Sequence, residues 1–90
     1  MQSFNHTLNC VGGLHARPAG VIVNAAKQFS SDILIRKLSA EGAKEADAKR
    51  LISLMSLGAR KGETITFYIN GPDEAAAAEK LLAVCRETVG

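Results

Sequence analysis

The stretch GGLHARPAG, residues 12–20, separates two different patterns near the start of the chain. Before it, apolar and polar residues alternate over residues 4–10, which is typical of a β-strand with one buried face. After it, apolar residues recur at three- and four-residue steps over residues 16–29, which predicts an amphipathic helix. Pro18 suits the first turn of that helix, because an N–H there would have no partner. The stretch is therefore predicted to lead a strand into a helix.

The rest of the chain continues with strands and helices in a regular order. Residues 32–38 (DILIRKL) and 63–70 (ETITFYIN) predict strands, and residues 43–46 (AKEA) predict a weaker one between them. A second helix is predicted within residues 47–58, with Asp47 as its N-cap and Gly58 ending it. A third helix is predicted to begin at Pro72. Its apolar stripe comprises Ala78, Leu81, Leu82, Cys85 and Val89.

The predicted order is β-α-β-β-α-β-α. Strands with one apolar face and helices with one apolar stripe indicate two layers, a sheet with helices on one side. With 90 residues, we expect a single domain over residues 1–90. Composition and periodicity do not determine the order of strands in the sheet.

Composition excludes several classes of function. Apolar residues make up 47% of the chain and charged residues 22%, as in ordinary globular proteins. The net charge of +2 and the few aromatic residues argue against nucleic-acid binding. The absence of a leader pattern or a long apolar run predicts a cytoplasmic protein rather than a secreted or membrane one. Cys10 and Cys85 are expected to be reduced, buried thiols, and no metal-binding cluster, catalytic triad or carboxylate pair is evident.

His15 is the residue whose surroundings suggest chemistry. It falls at the predicted N-cap, so the amides of Ala16 and Arg17 have no acceptor within the helix. The helix dipole and the Arg17 guanidinium make this an anion site, and a positive environment disfavours the imidazolium form. A neutral ring nitrogen can attack a phosphoryl group, while Gly12 and Gly13 leave room for a partner protein. The alternative is a plain surface or capping histidine.

Two blocks, GLHARPAG and AKRLISLMSLGARKGETITFYINGPDEAAAAEKL, resemble the histidine-containing phosphocarrier (HPr) family of the bacterial phosphoenolpyruvate-dependent sugar phosphotransferase system. The resemblance covers nearly the whole chain. It implies an α+β fold, an open-faced β-sandwich in which a four-stranded antiparallel sheet carries three helices on one face. His6, on the inner face of the first strand by alternation, is interpreted as structural.

The resemblance also implies a function and its residues. His15 would be phosphorylated through Nδ1, and Arg17 would bind the phosphate together with the backbone at Ala16 and Arg17. Phosphorylated enzyme I would be the donor and sugar-specific IIA domains the acceptors. The chain would be a monomeric, stoichiometric carrier without cofactor or metal, not an enzyme by itself. The implied partner surface comprises Gly20, Asn24, Lys27, Leu51, Ile52, Met55 and Leu57.

The residues themselves leave alternatives open. The second helix has more apolar residues than one buried stripe needs, so the excess either packs under residues 39–46 or forms an exposed docking patch. Many Gram-positive relatives carry a regulatory phosphorylated serine where Arg50 stands, so we expect no such regulation here. The segment between Asp32 and Arg50 is also longer than usual in the family. A regulatory paralogue signalling to nitrogen- or carbon-control partners, or a binding module without phosphotransfer, are the competing functions.

Overall fold

Every predicted element is present, in the predicted order, in the computed structural model, which describes residues 1–39 and 42–89. The strands are β1 (Gln2–Thr7), β2 (Asp32–Ser39), β3 (Gly42–Asp47) and β4 (Thr64–Asn70), and the helices are α1 (Ala16–Ala26), α2 (Leu51–Met55) and α3 (Glu74–Val84). A π-helical turn, Cys85–Val89, continues α3. No helix in the described ranges is long and apolar enough to span a bilayer.

The four strands form one antiparallel sheet in the order β1-β4-β2-β3. β4 lies inside the sheet, where Phe67 pairs with Phe4 of β1 and with Ile35 of β2. The rings of Phe4 and Phe67 are stacked, with centroids 4.6 Å apart. The predicted open-faced sandwich with three helices on one face is confirmed.

The core lies between the inner face of the sheet and the helices. Alternation along β4 buries Ile65, Phe67 and Ile69, as predicted. Apolar side chains from the three helices complete it, principally Ala19, Ile22, Val23, Ala26, Leu54, Ala77 and Leu81. Full burial of each large apolar side chain contributes on the order of 2 kcal/mol, so this interior stabilises the fold despite its small size.

Two elements are shorter than predicted. β1 ends at Thr7 because its partner β4 begins at Thr64, and a ladder stops where either strand stops. α1 ends at Ala26, and the chain then tightens, since the amides of Gln28 and Phe29 bond to carbonyls three residues earlier.

Two predicted helix starts were wrong. Asp47 is not the N-cap of α2. It is the last residue of β3, its carboxylate accepts the Lys49 amide at 2.9 Å, and Arg50 is the N-cap. Pro72 is not helical, because α3 starts at Glu74 with Asp73 as N-cap.

Asp73 joins α3 to the segment between α1 and β2. Its carboxylate accepts the amides of Ser30 and Ser31 at 2.8 and 2.9 Å and the Ser31 hydroxyl. Gly71 fits beside them because it has no side chain: a Cβ there would lie 2.6 Å from the Ser31 Cα. The Ser31 hydroxyl, followed by the Ser30 amide, lowers the pKa of the Asp73 carboxyl below its ordinary value.

We expect Asp73→Asn to reduce the free energy of unfolding at pH 7, because the charged carboxylate is the stronger acceptor. A pKa lowered in the folded state stabilises the protein above the ordinary carboxyl pKa of about 3.9, and this contribution disappears as pH falls through the folded-state value. Denaturant titrations between pH 7 and pH 2.5 measure the free energy of unfolding of variant and wild type. The difference between the two should become smaller toward the acidic end of this range. Glu79→Gln, on the exposed side of α3, is the control. A difference independent of pH would contradict this account.

Candidate functional site

His15 is the N-cap of α1, as the sequence predicts. Its backbone is extended, with φ −86° and ψ −170°, and its carbonyl accepts the Ala19 amide at 3.0 Å. The side chain makes no capping hydrogen bond and is exposed to solvent. A ring that is not used to cap the helix remains available to an incoming group.

Two amides at the start of α1 are left without an acceptor. An α-helix has four unpaired N–H groups at its N-terminus, counting the N-cap. Here the His15 amide bonds to the Gly13 carbonyl at 3.0 Å, and Pro18 has no N–H. Within the described residues, the amides of Ala16 and Arg17 therefore remain free to bind an anion, next to the exposed Arg17 guanidinium.

Gly12 orients the imidazole. Its φ of +84° favours glycine, and a Cβ built there would lie 3.0 Å from Cδ2, 3.6 Å from Nε2 and 3.9 Å from Cγ of His15. The Cδ2–Nε2 edge of the ring thus lies against Gly12. Nδ1 belongs to the opposite edge, which is turned away from this glycine.

The loop that carries His15 is held against the segment 58–63. The Leu14 amide donates to the Ala59 carbonyl at 2.9 Å. Gly13, with φ +67°, lies so close that a Cβ would be 2.4 Å from that carbonyl oxygen and 2.7 Å from the Arg60 Cα. No side chain fits at Gly13, so close backbone contact fixes the loop.

Cys10 is a member of the site that sequence reasoning missed. A cavity of about 220 Å³ is lined by Cys10, His15, Arg17 and Pro18. The Cys10 thiol donates to the Gly13 carbonyl at 3.1 Å, the same carbonyl that accepts the His15 amide. The prediction of two free thiols is confirmed, but Cys10 is only half-buried because it belongs to the loop and not to β1. Only its position close to GGLHARP could have indicated this.

Cys85 is the buried thiol of the predicted pair. It lies in the core directly after α3, and desolvation raises its pKa to about 12. His6 is half-buried on the inner face of β1, paired with Ile65 of β4. Among the described residues, no three His, Cys, Asp or Glu side chains are grouped as metal ligands would be.

The residues predicted to meet partners are divided by the structure into exposed and buried ones. On α2, Ile52 is 78% exposed and Leu51 and Met55 are each 38% exposed, which forms an apolar patch. Leu57 is 1% exposed and packs with Leu54 in the core, so its inclusion in the partner surface was wrong. The open question about α2 is thus answered: one side packs inward and the other faces solvent. We call Leu51, Ile52 and Met55 the α2 patch.

The other predicted partner residues lie on α1 or at its C-cap. α1 packs against α2; Asn24 and the C-cap residue Lys27 are exposed, and Gly20 is half-buried. A Cβ at Gly20 would meet nothing within 4 Å. This glycine is therefore required neither by packing nor by its backbone conformation.

Comparison with known proteins identifies the family of the chain. A family model described as the PTS HPr component phosphorylation site matches residues 2–87. The chain belongs to the HPr family. It is a phosphocarrier-family chain of the phosphotransferase system, as its motifs predict.

Relatives of the HPr family agree in sequence and in fold. The chain is 40% identical over 77 residues to the HPr-like protein Crh of Bacillus subtilis, covering 86% of each. It superposes on a Mycoplasma histidine-containing phosphocarrier protein with a TM-score of 0.89 and 29% identity, covering 97% of this chain and 94% of that one. An HPr dimer from Thermoanaerobacter tengcongensis matches with a TM-score of 0.72 and 31% identity over 100% and 99% of the two chains.

The contact at Gly13 gives a direct test of how the HPr histidine loop is held. Gly13→Ala should lower the free energy of unfolding by roughly 2–4 kcal/mol, from the left-handed backbone and the clash with Ala59. Gly20→Ala, a matched control that adds the same methyl group to open space, should instead stabilise the protein by about 0.5–1 kcal/mol. Urea denaturation of both variants measures the two changes in the free energy of unfolding. Equal effects would show that the loop tolerates a side chain at Gly13.

Proposed function

We propose that this HPr-family chain is a stoichiometric phosphoryl carrier that accepts a phosphoryl group on Nδ1 of His15 from phosphorylated enzyme I and passes it to sugar-specific IIA domains. The observation that carries the proposal is the combination at one helix start: an exposed, uncapped His15, two free amides at Ala16 and Arg17, and the Arg17 guanidinium. A phosphoryl group bound to the ring would have hydrogen-bond donors on one side and solvent or a partner on the other.

The transfer uses the ring as nucleophile and then as leaving group. The lone pair of an unprotonated Nδ1 attacks the phosphorus, a P–N bond forms, and the bond to the donor breaks with its electron pair remaining on the donor. The Ala16 and Arg17 amides and the guanidinium bind the phosphoryl oxygens, whose negative charge is spread over three atoms during transfer. Passing the group to a IIA domain is the same displacement, with the His15 nitrogen taking back the electron pair.

The α2 patch and the exposed α1 residues supply the docking surface in this proposal. Ile52 and Met55 are large apolar side chains that soluble proteins usually bury. Methionine is flexible, so one surface of this kind can fit several partners in turn. The predicted monomer stays a prediction, since two relatives are described as dimers.

A second function is favoured by specific departures from the family pattern. Arg50 occupies the N-cap of α2, where the regulatory serine of relatives would fall, and it makes no side-chain capping bond. The β2–β3 hairpin is long, with pairing from Leu34–Asp47 out to Ser39–Gly42. Crh, the relative from Bacillus subtilis, is described as a catabolite repression HPr. Phosphorylated His15 could therefore signal to regulators of carbon or nitrogen use instead of sugar permeases.

Labelling from phosphoenolpyruvate through enzyme I tests the carrier proposal. The wild type should gain one acid-labile, base-stable phosphate located at His15 by mass spectrometry. His15→Ala should gain none, and Arg17→Ala should be labelled about 100-fold more slowly, because it lacks an aligned charged donor. His6→Gln and Arg86→Ala are the matched controls and should be labelled normally.

The outcomes separate the candidate functions. Transfer onward to IIA domains supports the sugar carrier, and transfer only to regulatory domains supports the paralogue. If the wild type is not labelled, or if label appears on another residue in His15→Ala, the carrier proposal is wrong and a binding module without phosphotransfer takes its place.

The arginine at position 50 predicts that this chain is not regulated by serine phosphorylation at the start of α2. Incubation with the serine kinase that acts on Gram-positive relatives and ATP should leave residues 47–56 unmodified, because arginine offers no hydroxyl. Ser53 is engaged in accepting the Asp47 amide at 3.0 Å, and Ser56 donates to the Ser53 carbonyl at 2.6 Å. Peptide mapping measures this, with Arg50→Ser as the variant expected to restore phosphorylation. Phosphate on the wild-type segment would contradict the prediction.

A further inference from the structure

Lys37 is the one charged side chain classed as buried among the described residues, with 8% of its surface exposed. It follows Ile33 and Ile35 on the inner face of β2 and pairs with Ile65 of β4. Burying an ammonium group costs free energy unless it finds partners. Its Nζ donates to the Gly58 carbonyl at 3.3 Å and lies 3.7 Å from a carboxylate oxygen of Glu63.

Glu63 in turn organises the segment 58–63. One of its carboxylate oxygens, Oε1, accepts the Arg60 amide at 2.7 Å, and the other, Oε2, is the one that lies nearest Lys37. Its main-chain carbonyl accepts the Leu8 amide at 2.9 Å, and the Leu8 carbonyl accepts the Gly62 amide at 2.7 Å. The Lys37 ammonium therefore contacts both ends of this segment: it donates a hydrogen bond to the Gly58 carbonyl and forms an ion pair with the Glu63 carboxylate.

The same segment connects the two parts of the proposed transfer site. At its beginning, the Gly58 amide bonds to the carbonyl of Met55, the last residue of α2 and a member of the α2 patch. Next to it, the Ala59 carbonyl accepts the Leu14 amide, one residue before His15. A shift of residues 58 and 59 would move the patch and the imidazole relative to each other.

We propose that Lys37 is a positioning residue for phosphoryl transfer, which fixes the segment 58–63 and thereby the placement of His15 relative to the α2 patch. This inference rests on the proposed carrier function. A partner seated on the patch must find Nδ1 in line with its own phosphoryl group, and a misplacement of about 1 Å can cost on the order of 100-fold in rate. Lys37 acts at a distance and does not touch the phosphoryl group.

The test compares Lys37→Met, which keeps the length of the side chain but removes its charge, with Lys44→Met. Lys44 is the cross-strand neighbour of Lys37 on β3 and is exposed. With phosphorylated enzyme I as donor, Lys37→Met should lower kcat for phosphoryl transfer to the carrier about tenfold. The change in KM should be smaller, because the α2 patch still binds enzyme I while the His15 ring is misplaced. Lys37→Arg should recover most of the rate, and Lys44→Met should behave as the wild type.

A stability control separates positioning from simple loss of folding. Ile33→Val removes one buried methyl group, so it should lower the free energy of unfolding without lowering kcat for phosphoryl transfer. In the unphosphorylated protein, hydrogen exchange of the Leu14 amide should be faster in Lys37→Met than in Ile33→Val, since the Ala59 carbonyl is less well held.

Each outcome bears on one proposal. If Lys37→Met transfers at the wild-type rate, or if Ile33→Val slows transfer equally, the positioning role of Lys37 is overturned while the carrier function stands. If the wild type itself takes no phosphate, the carrier function fails, and the Leu14 exchange rates still decide whether Lys37 holds the histidine loop. If the Leu14 amide exchanges at the wild-type rate in Lys37→Met, Lys37 does not hold the histidine loop either.

Discussion

The hydrogen bond from the Leu14 amide to the Ala59 carbonyl joins the two segments on which the proposed function depends. One segment ends in His15 and begins α1, and the other follows the exposed α2 patch. The bond forms only because Gly13 brings its backbone against Ala59 and Arg60, where no Cβ fits. The His15 ring and the α2 patch are thus connected through main-chain contacts of the segment 58–63, and the Lys37 side chain contacts the same segment.

The residues on the inner face of β2 explain why the Lys37 ammonium lies beside the segment that contains Ala59. Ile33 and Ile35 fill the core, but the strand continues past the apolar interior to Lys37. At that place the side chain must be long enough to pass the edge of the core and polar enough to bind main-chain carbonyls. Lysine meets both needs, because a long methylene stem is compatible with burial and the ammonium reaches the Gly58 carbonyl and the Glu63 carboxylate.

Local patterns in the sequence predicted the structural features that are set by neighbouring residues. They missed the features that are set by residues distant in the chain. The alternation in ETITFYIN identified β4 because its inner side chains are apolar without exception. The end of β1 depends on where β4 begins, which its own residues do not reveal. The carboxylate of Asp73 is bound by Ser30 and Ser31, which are distant in the chain. Because α2 ends at Met55, a helical period could not show that Leu57, which follows the helix, is buried while Ile52 is exposed.

The openness of the site is consistent with a group that must be both received and given away. Arg17 and the amides at the start of α1 face solvent, where charge interactions are weakened by water. In the proposed function they would hold a phosphoryl group on His15 only weakly, so that the group could still be passed to an acceptor. When a partner covers the site and excludes water, the same donors interact more strongly with the charge of the transferring group. In the proposed function, an exposed site of few donors would therefore stabilise the transfer step more than the phosphorylated resting state, because the surface of the partner would exclude the water that reaches the site in the free carrier.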